Sequence, residues 1–153
     1  MTVDYGDTEQ AGRVRQFFQQ APETSRLHTD PAAQAAFLVG ACCGRIETIQ
    51  SIVRGATPFE GKYKGFRLAQ HDVQRLFIAA KDKAKAYGPD KERIVSGLLS
   101  CAASALAATG EHWSLGPDEI SYYFALGHAL RSRLAKEQED EGTLPTTTEE
   151  HGS

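Results

Sequence analysis

The sequence predicts an all-α protein, a single bundle of about five helices followed by a disordered acidic tail. Three observations predict this fold class. Ala, Gln and Leu are plentiful, runs of alternating β-branched residues are missing, and apolar residues recur at helical spacing along most of the chain. The 153 residues suffice for one domain with a hydrophobic core, which we place at residues 1–136.

Capping residues and prolines indicate where the first two helices begin and where the first one ends. The first is predicted at about Thr8–Gln20, with Asp7 as its N-cap, and Pro22 ends it. The second is predicted at about Pro31–Arg54, because Asp30 is a favourable N-cap and proline is favoured at the first helical position.

Two faces of the second helix differ in character. Gly40 and Gly44 lie four residues apart beside Phe37, where the missing Cβ atoms let a second neighbour approach the backbone closely. An apolar stripe lies on the opposite face, so we expect this helix to be central in the bundle. The stripe consists of Ala35, Leu38, Cys42, Ile46, Ile49 and Val53.

A loop and a third helix come next. Glycines and a proline predict a loop at Gly55–Leu68, and the third helix follows at about Ala69–Tyr87, ended by Gly88 and Pro89. Helical spacing predicts that one face of the third helix is buried. This face consists of Val73, Leu76, Phe77, Ala80, Ala84 and Tyr87. An adjacent polar face holds Gln70, Gln74, Lys81 and Lys85, with Lys83 on the other flank.

The remaining segments are two helices and the tail. The fourth helix is predicted at about Asp90–Thr109, closed by Gly110. The fifth begins at Pro117, followed by two acids that suit a helix N-terminus. Its buried stripe is Ile120, Tyr123, Phe124, Gly127, Leu130 and Leu134. Residues 137–153 hold six acids and no bases, a composition typical of a disordered tail.

Positive charge is concentrated in one stretch of the chain. Gly61–Arg93 holds nine of the 17 basic residues and four acids, a net +5, which leaves the remainder at −8. We call these nine residues the basic belt: Lys62, Lys64, Arg67, Arg75, Lys81, Lys83, Lys85, Lys91 and Arg93. A basic belt on an otherwise acidic helical protein indicates binding to a phosphate backbone.

The belt supplies the candidate phosphate contacts. Tyr63 and Phe66 are interleaved with its first residues, and an exposed aromatic ring can stack on a base. The main candidates are Lys62, Lys64, Arg67, Lys81 and Lys85, then Arg75 and Lys83. Arg131, Arg133 and Lys136 come second, because they also suit the C-terminal dipole of the last helix. The same pattern fits a solvated helix face on a protein-binding module.

Signals for an enzyme are poor, and we predict neither catalysis nor a metal or cofactor. The five histidines show no metal-ligand spacing, and no phosphate-binding loop, dinucleotide fingerprint or nucleophile elbow occurs. The dipeptide His71-Asp72 leaves a metal-dependent phosphohydrolase as an alternative. The simpler interpretation places Asp72 in the first turn of the third helix, where the helix dipole favours an acid.

Cysteine usage and hydropathy point to a reducing cytoplasm. The number of cysteines is odd, and Cys42 and Cys43 lie among apolar residues, which predicts buried inert thiols. The longest uncharged run, Ile94–Gly110, is rich in Ala, Ser and Gly and is interpreted as a buried helix, not a membrane span.

Three segments, taken together, resemble a known family. They are FLVGACCGRIETIQ (Phe37–Gln50), KYKGFRLAQHDVQRLF (Lys62–Phe77) and HWSLGPDEISYYFALGHAL (His112–Leu130). The chain is similar to the C-terminal helical region of the large subunit of type I-B CRISPR Cascade, which in turn resembles the small subunit of that complex. The third segment is the most specific, although Gly116 stands where a serine would suit the cap.

The resemblance implies a free-standing, non-catalytic small subunit of a CRISPR effector complex. Such subunits would stack along the complex with copies of themselves, against its backbone subunits and large subunit. Their basic face would hold the displaced single-stranded non-target DNA and support the crRNA–target duplex without reading sequence. Two alternatives stay open: the small subunit of a type I-A, I-D or III effector, and a helical protein-interaction adaptor without nucleic-acid binding.

Overall fold

The computed structural model describes residues 3–50 and 67–134. These residues form six α-helices and a short 3-10 turn at Arg26–His28. No β-strand occurs in these two stretches, and the predicted all-α fold class is confirmed. The helices are α1 (Glu9–Gln19), α2 (Pro31–Gln50), α3 (Gln70–Ala86), α4 (Pro89–Thr109), α5 (Pro117–Ala129) and α6 (Arg131–Leu134).

Helix α2 is the centre of the bundle, as predicted. Seventeen of its 20 residues are buried. It packs against α3, α4, α5 and α6, while α1 packs on α4 and α6. Because neighbours surround α2, alanines, cysteines and glycines outside the predicted apolar stripe are buried as well.

Helices α2 and α5 meet backbone to backbone at a pair of glycines. A Cβ atom at Gly40 would overlap the carbonyl oxygen of Phe124 in α5, and one at Gly127 would overlap the carbonyl oxygen of Phe37 in α2. We call these four residues the glycine contact. One turn farther along α2, Gly44 leaves room for the side chain of Arg131. The close approach predicted for the α2 glycines is confirmed.

The observed helix starts correct one predicted cap. Thr8 caps α1, since its Oγ1 accepts a hydrogen bond of 3.0 Å from the backbone N–H of Ala11. The predicted cap at Asp7 is wrong by one residue, because Asp and Thr are both favourable caps and side-chain preference alone cannot choose between neighbours. The cap of α2 is confirmed: Asp30 Oδ1 accepts from the N–H of Ala32 at 2.9 Å.

The predicted fifth helix is broken near its end. Helix α5 stops at Ala129, Leu130 takes a non-helical conformation, and α6 continues to Leu134. The break keeps Leu134 buried and brings its carbonyl oxygen within 2.7 Å of Gln10 Nε2 on α1. The stripe predicted for the fifth helix is therefore divided between α5 and α6, and its last residue, Leu134, contacts α1.

Some predictions fall outside the residues that the structure describes. These are the end of the second helix including Val53, the loop up to Phe66, Lys136 and the acidic tail at 137–153. Among the helices of the described stretches, none combines the length and the hydropathy required to cross a membrane.

Candidate nucleic-acid interface

A groove lies on the outer side of the bundle between α3 and α4. It encloses a volume of about 230 Å³. Phe77, Lys81 and Lys85 recur every four residues, so they follow one another along the edge of α3. Two pairs of residues on α4 have the same four-residue spacing and lie along the facing edge. They are Ser96 with Ser100, and Leu99 with Ala103. We call this the α3–α4 groove; its lining is Phe77, Lys81, Lys85, Glu92, Ser96, Leu99, Ser100 and Ala103.

The groove combines an apolar interior with a basic edge. Phe77 is partly buried against the core and Leu99 is buried, whereas Lys81 and Lys85 are exposed. Lys81 Nζ lies 5.6 Å from the centroid of the Phe77 ring, within cation–π range. Among the described residues, neither lysine has a carboxylate within ion-pair distance, so both ammonium groups are available to an anion. Glu92 is the acidic member of the lining.

Two other belt residues have acidic partners. Arg67 Nη2 lies 2.9 Å from Asp118 Oδ1, and Arg75 donates a hydrogen bond to Asp72. Both arginines are exposed, and exposed pairs of this kind are weak, yet a phosphate would have to compete with the carboxylate. These contacts make Arg67 and Arg75 weaker candidates than Lys81 and Lys85.

The remaining candidates are spread over the molecule. Lys83 is half-buried and, by helical geometry, about 160° around α3 from Lys81. Arg131 Nη1 donates to the carbonyl oxygen of His128 at 2.7 Å, beside Gly44, so it packs α6 onto α2. Arg133 lines a separate cavity of about 390 Å³ with Phe17 and Tyr122. Lys62, Lys64 and Lys136 lie outside the described residues.

The α4 side of the groove is absent from the predicted site, because the sequence predicts α4 only as a buried helix. The serines at positions 96 and 100 and the small residue at 103 mark an outward face at helical spacing, and that signal was present in the sequence. What the sequence lacked was the pairing of this face with the Phe77 edge of α3, which is set by tertiary packing.

The His71-Asp72 dipeptide starts a helix. Asp72 lies in the first turn of α3, as predicted, and its Oδ2 accepts from the N–H of Ala69 at 2.8 Å. This hydrogen bond, helped by Arg75 and His71, lowers the pKa of Asp72. Within residues 3–50 and 67–134, no group of three or more His, Cys, Asp or Glu side chains could hold a metal ion. The observed contacts favour the capping role.

The three cysteines are buried, as predicted for Cys42 and Cys43. Burial raises the pKa of the Cys42 and Cys43 thiols well above the usual range. Burial also raises the pKa of Cys101 to about 11, against an opposing effect of Arg15. Because thiolate is the reactive form, these residues are unsuited to nucleophilic chemistry at neutral pH.

The segment between α4 and α5, together with the first turns of α5, holds the start of α3 and the residue before it. Trp113 N–H donates to Gln70 Oε1 at 3.1 Å, and the Trp113 indole donates to Thr109 Oγ1 at 3.0 Å. Ser121 Oγ accepts from the N–H of Leu68 at 2.8 Å. The His112–Leu130 segment therefore contributes to the interface indirectly, by setting where α3 begins.

The chain matches the model of a known protein family. Residues 2–142 match the family model described as the C-terminal domain of CRISPR-associated protein TM1802 (cas_TM1802). The match covers most of the 153-residue chain. Neither the curated proteins nor the solved structures contain a match.

Proposed function

The chain belongs to the family of the CRISPR-associated protein TM1802 C-terminal domain, and on that premise we propose a non-catalytic role in a CRISPR RNA-guided effector complex. We assign it to the small subunit of a Cascade complex, in keeping with its resemblance to type I-B. In this role the chain holds nucleic acid through phosphate contacts, while pairing with the guide RNA reads the sequence.

One observation carries the nucleic-acid part of this proposal: Lys81 and Lys85 lie side by side on an exposed edge of α3, next to an aromatic ring. Two ammonium groups without carboxylate partners in the described part of the chain can replace counterions along a phosphate backbone. Contacts of this kind position a strand and carry no base information. They suit displaced single-stranded DNA and the backbone of the crRNA–target duplex.

Contacts with other subunits complete the proposed role. Tyr122 is 60% exposed and Ile78 is 57% exposed, and aromatic and large apolar side chains are favoured where proteins meet. We propose that the chain packs in the cytoplasm against the backbone subunits, the large subunit and further copies of itself. Ile78 lies on α3 between the lysines and Arg75, so one such contact would border the strand.

The test is binding of a labelled single strand of about 30 nucleotides, longer than a typical site of ~4–16 nucleotides, measured by fluorescence anisotropy over a salt series. Duplex of the same sequence runs beside it. We expect sequence-indifferent binding with a steep negative salt slope. The variant Lys81→Ala/Lys85→Ala should weaken binding evenly across sequences and reduce the slope by about two, one for each lost contact.

Arg93→Ala is the matched control for the single variant Lys81→Ala. Each removes one positive charge, but Arg93 is paired with Asp90 at 3.1 Å and does not line the groove. Its effect on the salt slope should be smaller. If the lysine variant keeps both affinity and slope, the phosphate assignment is wrong.

A protein-interaction adaptor is the second candidate function. It is favoured by the cavity of about 390 Å³ between α1 and α5, where the exposed Tyr122 meets Phe17 and Leu126. An adaptor would show no salt-dependent DNA binding and would retain its partners after loss of Lys81 and Lys85. Recovery of CRISPR backbone subunits in a pull-down with this chain would instead support the effector role, and the type of those subunits would separate I-B from I-A, I-D or III.

A further inference from the structure

We propose that the α3–α4 groove is a nucleotide subsite, which takes one unstacked base of a single strand while Lys81 and Lys85 hold the phosphates on either side of it. The inference rests on the proposed function and goes beyond it, because a phosphate track needs only charge. Here the apolar interior of the groove adds a place for the base itself.

The groove has the size and lining for a flat aromatic group. Its volume of about 230 Å³ is several times the ~30 Å³ that a water molecule occupies in the liquid. Phe77, Leu99 and Ala103 give it an apolar interior, from which a base would displace water. Stacking or packing of this kind tolerates every base, because each has a π-face.

Polar groups of the lining suit the edges of any base. Ser96 and Ser100 stand on the α4 side, and a hydroxyl group can donate or accept as it rotates. Ser96 Oγ donates to the carbonyl oxygen of Arg93 at 3.2 Å, which leaves its lone pairs able to accept. A lining without a fixed pattern of donors and acceptors matches a role that does not read sequence.

The two lysines are placed to bracket a bound base. They are one helical turn apart, with about 5–6 Å between Cβ atoms, and both side chains are long and flexible. Lys81 rests over the Phe77 ring in this structure, so it reaches the mouth of the groove. An ammonium group there meets the phosphate on one side of the base, and Lys85 meets the next phosphate along the strand.

Glu92 opposes an anion at the same site. Glu92 belongs to the groove lining together with Lys85. Repulsion from this carboxylate limits the affinity for a strand, so removal of its charge should strengthen binding. Glu92→Gln is therefore expected to raise the affinity for single-stranded DNA about two- to fivefold at low salt, the opposite direction from the lysine variants.

The test compares an ordinary oligothymidine strand with an abasic strand that has the same number of phosphates. The wild-type chain should prefer the strand with bases at least about fivefold, the lower end of what one stacked base contributes. Ala103→Leu fills the groove without changing charge, and it should abolish this preference while the salt slope stays unchanged. Ser100→Leu fills the groove from a second position and should do the same.

Ala107→Leu is the matched control, because Ala107 is exposed on α4 one turn beyond Ala103 and is not part of the lining. Ala107→Leu should keep the preference for the strand with bases.

The subsite is wrong if the wild type binds the two strands equally, or if the preference survives both Ala103→Leu and Ser100→Leu. The groove would then be expected to contact a partner subunit instead.

These outcomes are separable from failure of the proposed function. If the subsite is wrong but Lys81→Ala/Lys85→Ala still lowers the salt slope, phosphate binding stands without a base site. If the wild-type chain binds neither strand at low salt, phosphate binding by the chain and the subsite both fail.

Discussion

The glycine contact and the α3–α4 groove lie between different pairs of helices and differ in almost every physical respect. At the glycine contact, Gly40 and Gly127 let two helices approach until backbone touches backbone, and no side chain fits between them. At the groove, two helices leave a volume of about 230 Å³ between their outer edges, lined by lysines, serines and an aromatic ring.

This difference separates residues that build the fold from residues that face a ligand. The segments that resemble the Cascade family supply the glycine contact from both sides, with Gly40 from the first segment and Gly127 from the third. Tight backbone packing tolerates almost no substitution, whereas an open groove tolerates many. These two segments therefore contribute to the architecture through their glycines, whereas the charge on α3 is where we expect function.

The largest effect should follow from adding one methyl group at the glycine contact. Gly40→Ala or Gly127→Ala would place a Cβ atom on a carbonyl oxygen, so the two helices must separate and lose packing around them. We expect a loss of more than about 3 kcal/mol in the free energy of unfolding, measured with urea, although alanine is the better helix former.

Gly12→Ala in α1 is the control for these glycine variants. An ideal Cβ atom there would have only the end of the Arg15 side chain in ordinary contact, at 3.8 Å. Because no packing is disturbed there, the higher helix propensity of alanine determines the outcome, and Gly12→Ala should raise the free energy of unfolding by about 0.5–1 kcal/mol. If Gly40→Ala behaves like Gly12→Ala, the α2–α5 contact is looser than described.

Sequence reasoning could identify the helices and the special face of α2 because those features are local. Two glycines four residues apart predict a close neighbour wherever that neighbour comes from. Their partner, Gly127, could not be assigned, because it lies on a helix distant in the sequence. In the same way, nothing near Leu130 predicts the break between α5 and α6, after which α6 contacts α1 and α2, two helices distant in the sequence.

Of the two walls of the α3–α4 groove, the sequence predicts the α3 wall and not the α4 wall. Spacing alone places Lys81 and Lys85 beside Phe77 on one edge of α3. The α4 wall and the pairing of Arg67 with Asp118 depend on the tertiary fold, so composition overstated the number of available cations. A charge count cannot distinguish a paired arginine from a lysine without an acidic partner.

An intermediate loss of stability is expected from a substitution in the first turn of α3, the helix that forms one wall of the groove. Asp72→Ala removes the hydrogen bond to the Ala69 N–H and the contact with Arg75. We expect a loss of about 1–2 kcal/mol near neutral pH in urea unfolding. Asp82→Ala, an exposed change on the same helix, should stay within about 0.5 kcal/mol.

The Asp72 effect should also depend on pH. Because the pKa of Asp72 is lower in the folded state than the ordinary value of about 3.9, its contribution is complete above that value and is lost as pH falls through the folded pKa. The stability difference between wild type and Asp72→Ala should therefore shrink below about pH 4. A difference that stays constant down to pH 2 would contradict the capping role.

A smaller loss of stability is expected from changes in α5 that remove its contacts with Arg67 and Leu68, just before α3. Helix α5 also forms the glycine contact, so these contacts connect it to the helix that carries the groove lysines. Ser121→Ala leaves the Leu68 N–H without its acceptor, which should cost about 1 kcal/mol. Asp118→Ala removes the exposed pair with Arg67 and one acid from the first turn of α5, and it should cost less than about 0.5 kcal/mol. Equal losses in urea unfolding would contradict this order and would mean that Asp118 secures the junction as firmly as the hydrogen bond does.

The smallest effect should come from the largest added side chain. Ala103→Leu inserts three carbon atoms into the groove, where Ala103 is exposed, and leucine is almost as good a helix former as alanine. Its unfolding free energy should stay within about 0.5 kcal/mol of wild type, while a single carbon at Gly40 costs more than about 3 kcal/mol. Added volume is harmful only where the space is already filled, so a large loss for Ala103→Leu would mean that α3 and α4 pack closely and that no space for a base exists between them.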